Sequence, residues 1–507
     1  MTQSKHETER KYEAPPGGVA GLPDLTGVGP VASVTTAGPE ELDAVYHDTE
    51  DLRLAGSSVT LRRRTGGPDA GWHLKLPLAG DTREEVRAPL ADDLPEPLRE
   101  LILSRSRGAP LRPVVRIRST RTVRQLRDAE GRVLAEVSLD EVRAEPAAGT
   151  GRAEWAELEV ELAEGAPAGL LDVVEKRLRK KGIVRADSPS KLARALRDTG
   201  SVVERARSPE VVAGSPGSYV LAYVNEQVGR LVALDPAVRR DLPDAVHRMR
   251  VVCRRLRGCL RSYRSVLDRR VTDPLRAELR WLAGELGAAR DQEVLSERIG
   301  GALAELPDEL VLGPVAARLR AWEVSRGGGV RSRTREALAT DRYLRLLDAL
   351  DALLRRPPLR AKAAGKPART MARAVLKEYG RLAGRMDRAL AQPAGRSREK
   401  DLHEARKAAK KLRYAAEVAR PALGKPVARL GKRAKAVQKL LGEHQDAVVA
   451  QDALRRMAVA AHGAGESAFT WGLLHGREGA GAEARRRELP EAWRAVSDPG
   501  LRAPLEH

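Results

Sequence analysis

At 507 residues the chain is too long for one ordinary core, so two or three domains are expected, and 42% hydrophobic content is enough to pack them. The formal charge of +21 marks a binder of anions, and it is unevenly placed: residues 1–200 carry 31 Lys+Arg against 33 Asp+Glu (net −2), leaving 60 and 37 (net +23) for 201–507. Aromatics are only 3%, which leaves few platforms for stacking bases and disfavours a nucleic-acid partner.

Residues 5–164 read as short strands separated by turns such as Gly66-Gly67-Pro68-Asp69 and Ala129-Glu130-Gly131. Within the strands, charges recur at every second position, and positions two apart share a face. Glu7, Glu9 and Lys11 form one row. Thr60, Arg62 and Arg64 form another, opposite Val59 and Leu61. Further rows are His73 and Lys75; Arg83, Glu85 and Arg87; Arg116 and Arg118; Glu136, Ser138 and Asp140; and Glu157, Glu159 and Glu161. A solvated face of an open sheet would also carry charge. Like-charged rows such as Glu157/Glu159/Glu161 repel, however, unless a cation or basic neighbours neutralise them. Carboxylates and bases facing one another inside a closed barrel would hold a hard cation and the phosphate chain it serves. The apolar rows then need cover on the outside of the barrel.

Leu170 to Lys181 reads as a helix stopped by Gly182, and 199–217 as a linker. From 218 the apolar spacing becomes three and four, and the pattern repeats. His247-Arg248-Met249-Arg250 with Leu256-Arg257 matches His403-Glu404-Ala405-Arg406 with Leu412-Arg413, 156 positions on. Leu286-Gly287 with Asp291 matches Leu441-Gly442 with Asp446, 155 positions on. Each copy carries an apolar seam and, one residue later, a basic stripe: His247, Arg250, Arg254, Arg257 and Arg261 in the first, His403, Arg406, Lys410, Arg413 and Arg420 in the second. Two such stripes side by side make a positive trough that an anion would fill. Cys253 and Cys259, six apart on this helix, are expected as core thiols rather than a disulfide. Residues 460–507 are Gly-, Ala- and Arg-rich; a final helix and a loose tail over 491–507 are expected. No run of 18 apolar residues exists and no apolar stretch follows Met1, so a cytoplasmic setting without a membrane partner is expected.

Glu7-Thr8-Glu9-Arg10-Lys11 resembles the ExExK signature of CYTH domains, the triphosphate tunnel metalloenzymes. Tyr46-His47-Asp48-Thr49, Leu61-Arg62-Arg63-Arg64, Trp72-His73-Leu74-Lys75-Leu76, Asp140, the three glutamates and Ser190-Lys191 follow in the family's order, over residues 4–198. The resemblance implies a closed antiparallel barrel of eight strands with flanking helices, hydrolysing inorganic triphosphate or thiamine triphosphate, or cyclising ATP. It implies that Glu7, Glu9, Glu157 and Glu159 hold Mg²⁺ or Mn²⁺, with Asp140 and Glu161 helping. It gives Lys11, Arg62, Arg64, Lys75, Arg118, Arg121 and Lys191 the phosphate oxygens, and makes Glu7, Glu9 and Lys11 the catalytic set. Arg116–Arg121 carries two possible phases, so Arg118 and Arg121 both stand as candidates.

The two HxxR…LR and LGxxxD segments resemble the CHAD family over 218–490, which implies an all-α pair of pseudo-symmetric bundles that binds inorganic polyphosphate. His247, Arg250, Arg254, Arg257, His403, Arg406, Lys410 and Arg413 would then contact the chain, with Asp291 and Asp446 capping or pairing with bases. The expectation is a two-domain α+β enzyme that hydrolyses triphosphate or polyphosphate ends, retains polyphosphate and associates with polyphosphate granules. A non-catalytic polyphosphate adaptor and an adenylate cyclase are the alternatives.

Overall fold

A computed structural model describes residues 2–15, 18–148, 150–200, 211–393 and 395–506, and of 288–293 and 325–332 the backbone alone. The chain forms two compact units, Met1–Ala206 and Arg207–His507.

The first unit is built on β1 (Gln3–Glu13), β2 (Ser33–Thr36), β3 (Glu40–Asp48), β4 (Thr60–Thr65), β5 (Gly71–Pro77), β6 (Thr82–Ala88), β7 (Arg112–Arg127), β8 (Val133–Pro146) and β9 (Ala153–Leu162). Antiparallel pairing runs β7-β3-β4-β5-β6-β1-β9-β8, and β8 pairs back onto β7, so eight strands close into a barrel without free edges. The short β2 lies along the far end of β7. Its helices are α1 (Arg53–Gly56), α2 (Glu96–Ser106), α3 (Leu170–Arg179) and α4 (Lys191–Asp198).

The outward apolar rows are covered as their alternation demands. Leu98, Leu101 and Ile102 of α2 pack on Leu61, Trp72, Leu74 and Val86. Leu170, Val174 and Leu178 of α3 pack on Tyr12, Val137, Leu158 and Val160. A third cluster lies inside. Ala44 and Tyr46 sit opposite Arg64 and Arg62 in the β3–β4 register, so all four share the inner face. With Val115, Ile117, Val142 and Ala144 they receive Leu192, Ala195 and Leu196 of α4. The barrel's inner face is therefore charged over part of its length and apolar where α4 plugs it.

The second unit is helical: α5 (Pro216–Arg239), α6 (Ala245–Ser262), α7 (Arg269–Glu285), α8 (Gly287–Ala304), α9 (Val315–Ala339), α10 (Asp341–Arg355), α11 (Pro367–Ala391), α12 (Arg396–Gly463), α13 (Phe469–Ser497) and α14 (Pro499–Glu506). The long α12 bends at Gly424 (φ 63°, ψ −137°), which is where the first copy, 156 residues earlier, passes from α6 to α7. Gly258 of α6 packs against Tyr414 of α12, its own counterpart in the repeat, so the pseudo-twofold axis passes between them. Cys253 and Cys259 are free and buried.

Two boundaries differ from expectation. The loose tail expected over 491–507 is instead helical, because Leu489, Trp493, Val496 and Leu505 recur at helical spacing and enter the main core. Of the 199–217 linker, 201–210 lie outside the described residues, and Pro216 already opens α5 behind the N-cap Ser215.

Candidate functional site

The barrel encloses a cavity of about 260 Å³ lined almost wholly by charge. β1 contributes Glu7, Glu9 and Lys11, β4 Arg62 and Arg64, β5 Lys75, and β6 Glu85 and Arg87. Arg121 enters from β7, Glu159 and Glu161 from β9, and Lys191 from the first residue of α4.

Most of these groups are matched. Lys75 Nζ is 2.6 Å from Glu7 Oε2 and 4.0 Å from Glu9 Oε2. Lys11 pairs with Glu159 and lies 3.4 Å from Glu9. Burial pushes the Glu9 carboxyl up, but Lys11 and Lys75 outweigh it and hold the group at about 2. Arg121 binds Asp140 through two hydrogen bonds of 2.8 Å and reaches Glu159 at 3.0 Å. Glu85, wholly buried, is ringed by His73, Arg87, Arg62 and Lys75.

Arg62 and Arg64 are matched only in part: Arg62 Nη1 donates to Tyr46 Oη at 3.3 Å and its Nη2 lies 3.8 Å from Glu85, and Arg64 pairs with Asp69. Their Nε groups are buried with no hydrogen-bond partner among the described residues. Burial, with Arg62 and Arg121 close by, pushes the Arg64 guanidinium down to about 9. Such donors are costly to bury unless an anion meets them.

Among the described residues, one group of carboxylates beside the cavity is close enough to hold a hard cation. At the α4 end, oxygens of Asp140, Glu157 and Glu159 lie within 4.8 Å of one another. The Lys191 ammonium stands among them, placed there by the N-cap Ser190, whose Oγ accepts from Ala193 N. Elsewhere Glu7 and Glu161 both approach Lys5 Nζ at 2.9 Å, and Lys5 is 45% exposed. Burial and the neighbouring Glu7 raise the Glu161 pKa.

The helical unit carries a second charged feature. His247, Arg250, Arg254 and Arg257 are half-buried along α6, as are His403, Arg406, Lys410 and Arg413 along α12. Burial, then Arg406 of its own helix and Arg254 of α6, push Lys410 down to about 8, so the two stripes share one field. The repeat extends to detail. Arg250 Nη1 donates to Gly287 O at 3.2 Å, and Gly442 lies against Arg406 in the corresponding place. Arg406 Nη2 also meets Asp446 at 3.4 Å, and His403 Nδ1 meets Gln445 Oε1 at 2.9 Å. The Asp291 side chain lies outside the described residues.

Residues 5–196 match the family model of the CYTH domain, and 222–455 that of the CHAD domain. The chain is a CYTH domain followed by a CHAD domain. It belongs with two proteins of Mycobacterium tuberculosis, one from strain CDC 1551 / Oshkosh and one from strain ATCC 25618 / H37Rv. Each is called an uncharacterized protein and is 40% identical over 506 residues, covering 97% of this chain and 96% of the relative. Among solved structures, PptA from Streptomyces chartreusis is similar over 55% of this chain and 99% of its own, at 22% identity and a TM-score of 0.47.

Within the CYTH domain the structure brings Glu7, Glu9, Lys11, Arg62, Arg64, Lys75, Arg121, Glu159, Glu161 and Lys191 around one cavity. Asp140 and Glu157 are buried behind Lys191. Arg118 is the exception. It points outward, half exposed, and pairs with Asp43 and Glu145. The inner face of β7 must be apolar at Val115 and Ile117 to seat α4, which fixes the phase that turns Arg118 out and Arg121 in. The proposed metal ligands also do not form one cluster: Asp140, Glu157 and Glu159 gather at α4, while Glu7 and Glu161 meet at Lys5. Glu85 and Arg87, which the alternation places in a charged row but to which no role was given, line the cavity, as does Lys5, which no row contains. Carrying the β6 alternation of Arg83, Glu85 and Arg87 inward would have found the first two. In the CHAD domain, Lys411 of α12 is pushed down to about 8 by burial, Arg261 and Arg385, so Arg385 of α11 adds a cation that neither stripe contains.

Proposed function

We propose that the CYTH domain hydrolyses inorganic triphosphate or the end of a longer phosphate chain with Mg²⁺ or Mn²⁺, and that the CHAD domain binds polyphosphate. The observation that carries this reading is the pair Arg62 and Arg64, whose buried Nε groups lack a hydrogen-bond partner among the described residues although their terminal nitrogens lie beside Glu85 and Asp69, in a cavity where Lys11, Lys75, Arg121 and Lys191 also meet carboxylates. Planar guanidinium forks match the non-bridging oxygens of a phosphate chain. Retention by the CHAD domain would keep chain ends near the enzyme and place the protein on polyphosphate granules.

The carboxylate donor set suits a hard divalent cation. Glu7 and Glu161 are the residues best able to hold it, since the half-exposed Lys5 that joins them can swing into solvent, with Glu9 and Glu159 next to them along the same two strands. When bound, such an ion neutralises charge on the phosphate oxygens. Arg62, Arg64 and Arg121 would align the chain, and Lys11 and Lys75 would counter charge gathering on the leaving phosphate. Glu7 or Glu9 would orient the attacking water. Its oxygen bonds to the terminal phosphorus as the bridging P–O bond breaks, and the water proton passes to solvent.

The test is phosphate release from triphosphate with and without each metal. Metal-dependent release that disappears in Glu7→Ala is expected. No release, with polyphosphate still bound, leaves the adaptor reading; cyclic AMP formed from ATP leaves the cyclase.

A further inference from the structure

His73 lies on the inner face of the CYTH barrel, beside the cavity-lining Arg62 and Arg87, 1% exposed, and both its ring nitrogens face acceptors. Nδ1 is 2.9 Å from Glu85 Oε1, and Nε2 is 2.8 Å from the Asp69 carbonyl oxygen. A carbonyl cannot donate. Glu85 cannot either, because despite its burial His73, Lys75 and Arg62 hold it well below the usual carboxylate range, so it stays ionised. Only a doubly protonated ring satisfies both contacts; a neutral ring sets one nitrogen lone pair against an oxygen lone pair.

The surroundings oppose that charge. In register, His73 lies between Arg62 of β4 and Arg87 of β6. Arg64 is further along β4 and Lys75 two residues along its own strand, while the Asp69 carboxylate reaches Arg64 and Arg87. Burial, with Arg62 and Arg64, pushes the ring down to about 4 against the pull of Glu85. An anion taken up by Arg62 and Arg64 offsets their repulsion, though not the effect of burial, and so favours the second proton.

We propose that His73 is a positioning residue that gains a proton from solvent as a phosphate chain binds, and that as imidazolium it locks Glu85 and the Asp69 carbonyl. Glu85 in turn fixes Arg62, Lys75 and Arg87 around the chain. This rests on the triphosphate reading above and adds proton uptake to it.

The experiment is calorimetric titration of the full-length protein with inorganic triphosphate, metal-free, in two buffers of different ionisation enthalpy, across about pH 6 to 8. Triphosphate's own ionisation adds to the uptake in every protein, so the readout is the difference between the wild type and each variant. The wild type should take up about one more proton on binding than His73→Gln, and its lead in affinity should shrink as pH rises. Glu85→Gln is the second variant: its amide can donate to Nδ1, so a neutral ring satisfies both contacts and the extra uptake should vanish there too. Equal proton uptake in all three proteins, with triphosphate still bound, overturns the proposal alone. A wild type that binds no triphosphate under these metal-free conditions overturns this inference, whereas the functional reading falls only if metal-dependent phosphate release is absent.

Discussion

Lys191 Nζ lies 2.7 Å from Glu159 Oε1, and the same ammonium is 2.8 Å from Glu157 and 2.9 Å from Asp140. Three buried carboxylates thus share a cation supplied by the first residue of the plug helix. Burial alone would lift the Asp140 and Glu159 pKa values, yet Lys191 and Arg121, joined at Glu159 by Lys11, hold both carboxyls below their ordinary range.

Removing that ammonium leaves the three acids facing one another. Lys191→Met should cost about 3–5 kcal/mol of stability, the loss typical of stripping one partner from a buried ion pair. Because the three oxygens are close enough for one ion, Mg²⁺ or Mn²⁺ should restore part of the lost Tm in the variant and do less for the wild type. Thermal unfolding with and without each metal reads this directly. An equal metal shift in both proteins would mean that the acids do not accept a cation in place of the lysine.

The plug helix also decides between neighbouring arginines. Arg121 reaches Asp140 and Glu159 inside the barrel, whereas Arg118 pairs with Asp43 and Glu145 outside. Arg121→Ala should lower kcat/KM for triphosphate by roughly 100-fold, as loss of a charge-stabilising donor does. Arg118→Ala should stay within about twofold, since exposed pairs contribute little. Similar losses in the two variants would count against the phase assigned to β7.

How much of this could be read in advance depends on whether the deciding contact is local. The Glu157/Glu159/Glu161 row and the Arg62/Arg64 row follow from a period of two, and the structure puts members of both in the cavity. The phase of β7 does not follow, because Val115, Ile117, Ser119 and Arg121 share a face that changes from apolar to charged along its length. Only the docking of α4, more than 70 residues downstream, says which part is which. The helical repeat was legible because it occurs twice. The helix over the last residues was hidden by a Gly-, Ala- and Arg-rich composition, although Leu489, Trp493 and Val496 carry its period.

The repeat imposes its own constraint at the axis. A methyl group built on Gly258 would lie 3.1 Å from Tyr414 Cδ2 and 3.2 Å from its Cβ. Two large residues cannot occupy equivalent positions that touch each other, so one copy is Gly and the other Tyr. Gly258→Val should destabilise the CHAD domain by about 1–3 kcal/mol through overpacking. Urea unfolding of the full chain, followed by helical circular dichroism, would show the midpoint fall; an unchanged midpoint would mean that α6 and α12 are free to part there.

Lys410 gives the basic trough a pH dependence of known sign. Burial, Arg406 and Arg254 bring its pKa from 10.5 down to about 8, so the free protein releases this proton well before an exposed lysine would. A bound polyanion favours the charged form. Above pH 8, binding must therefore draw a proton from solvent, and the affinity falls as pH rises. Between about pH 7 and 9.5, polyphosphate affinity should weaken several-fold in the wild type. Lys410→Arg keeps its charge over that range and should flatten the decline, leaving a shallower slope from Lys411, also held at about 8. The measurement is a binding isotherm for long-chain polyphosphate at fixed ionic strength, since salt alone moves such affinities strongly. Identical slopes for the wild type and Lys410→Arg would remove Lys410 from the anion's path.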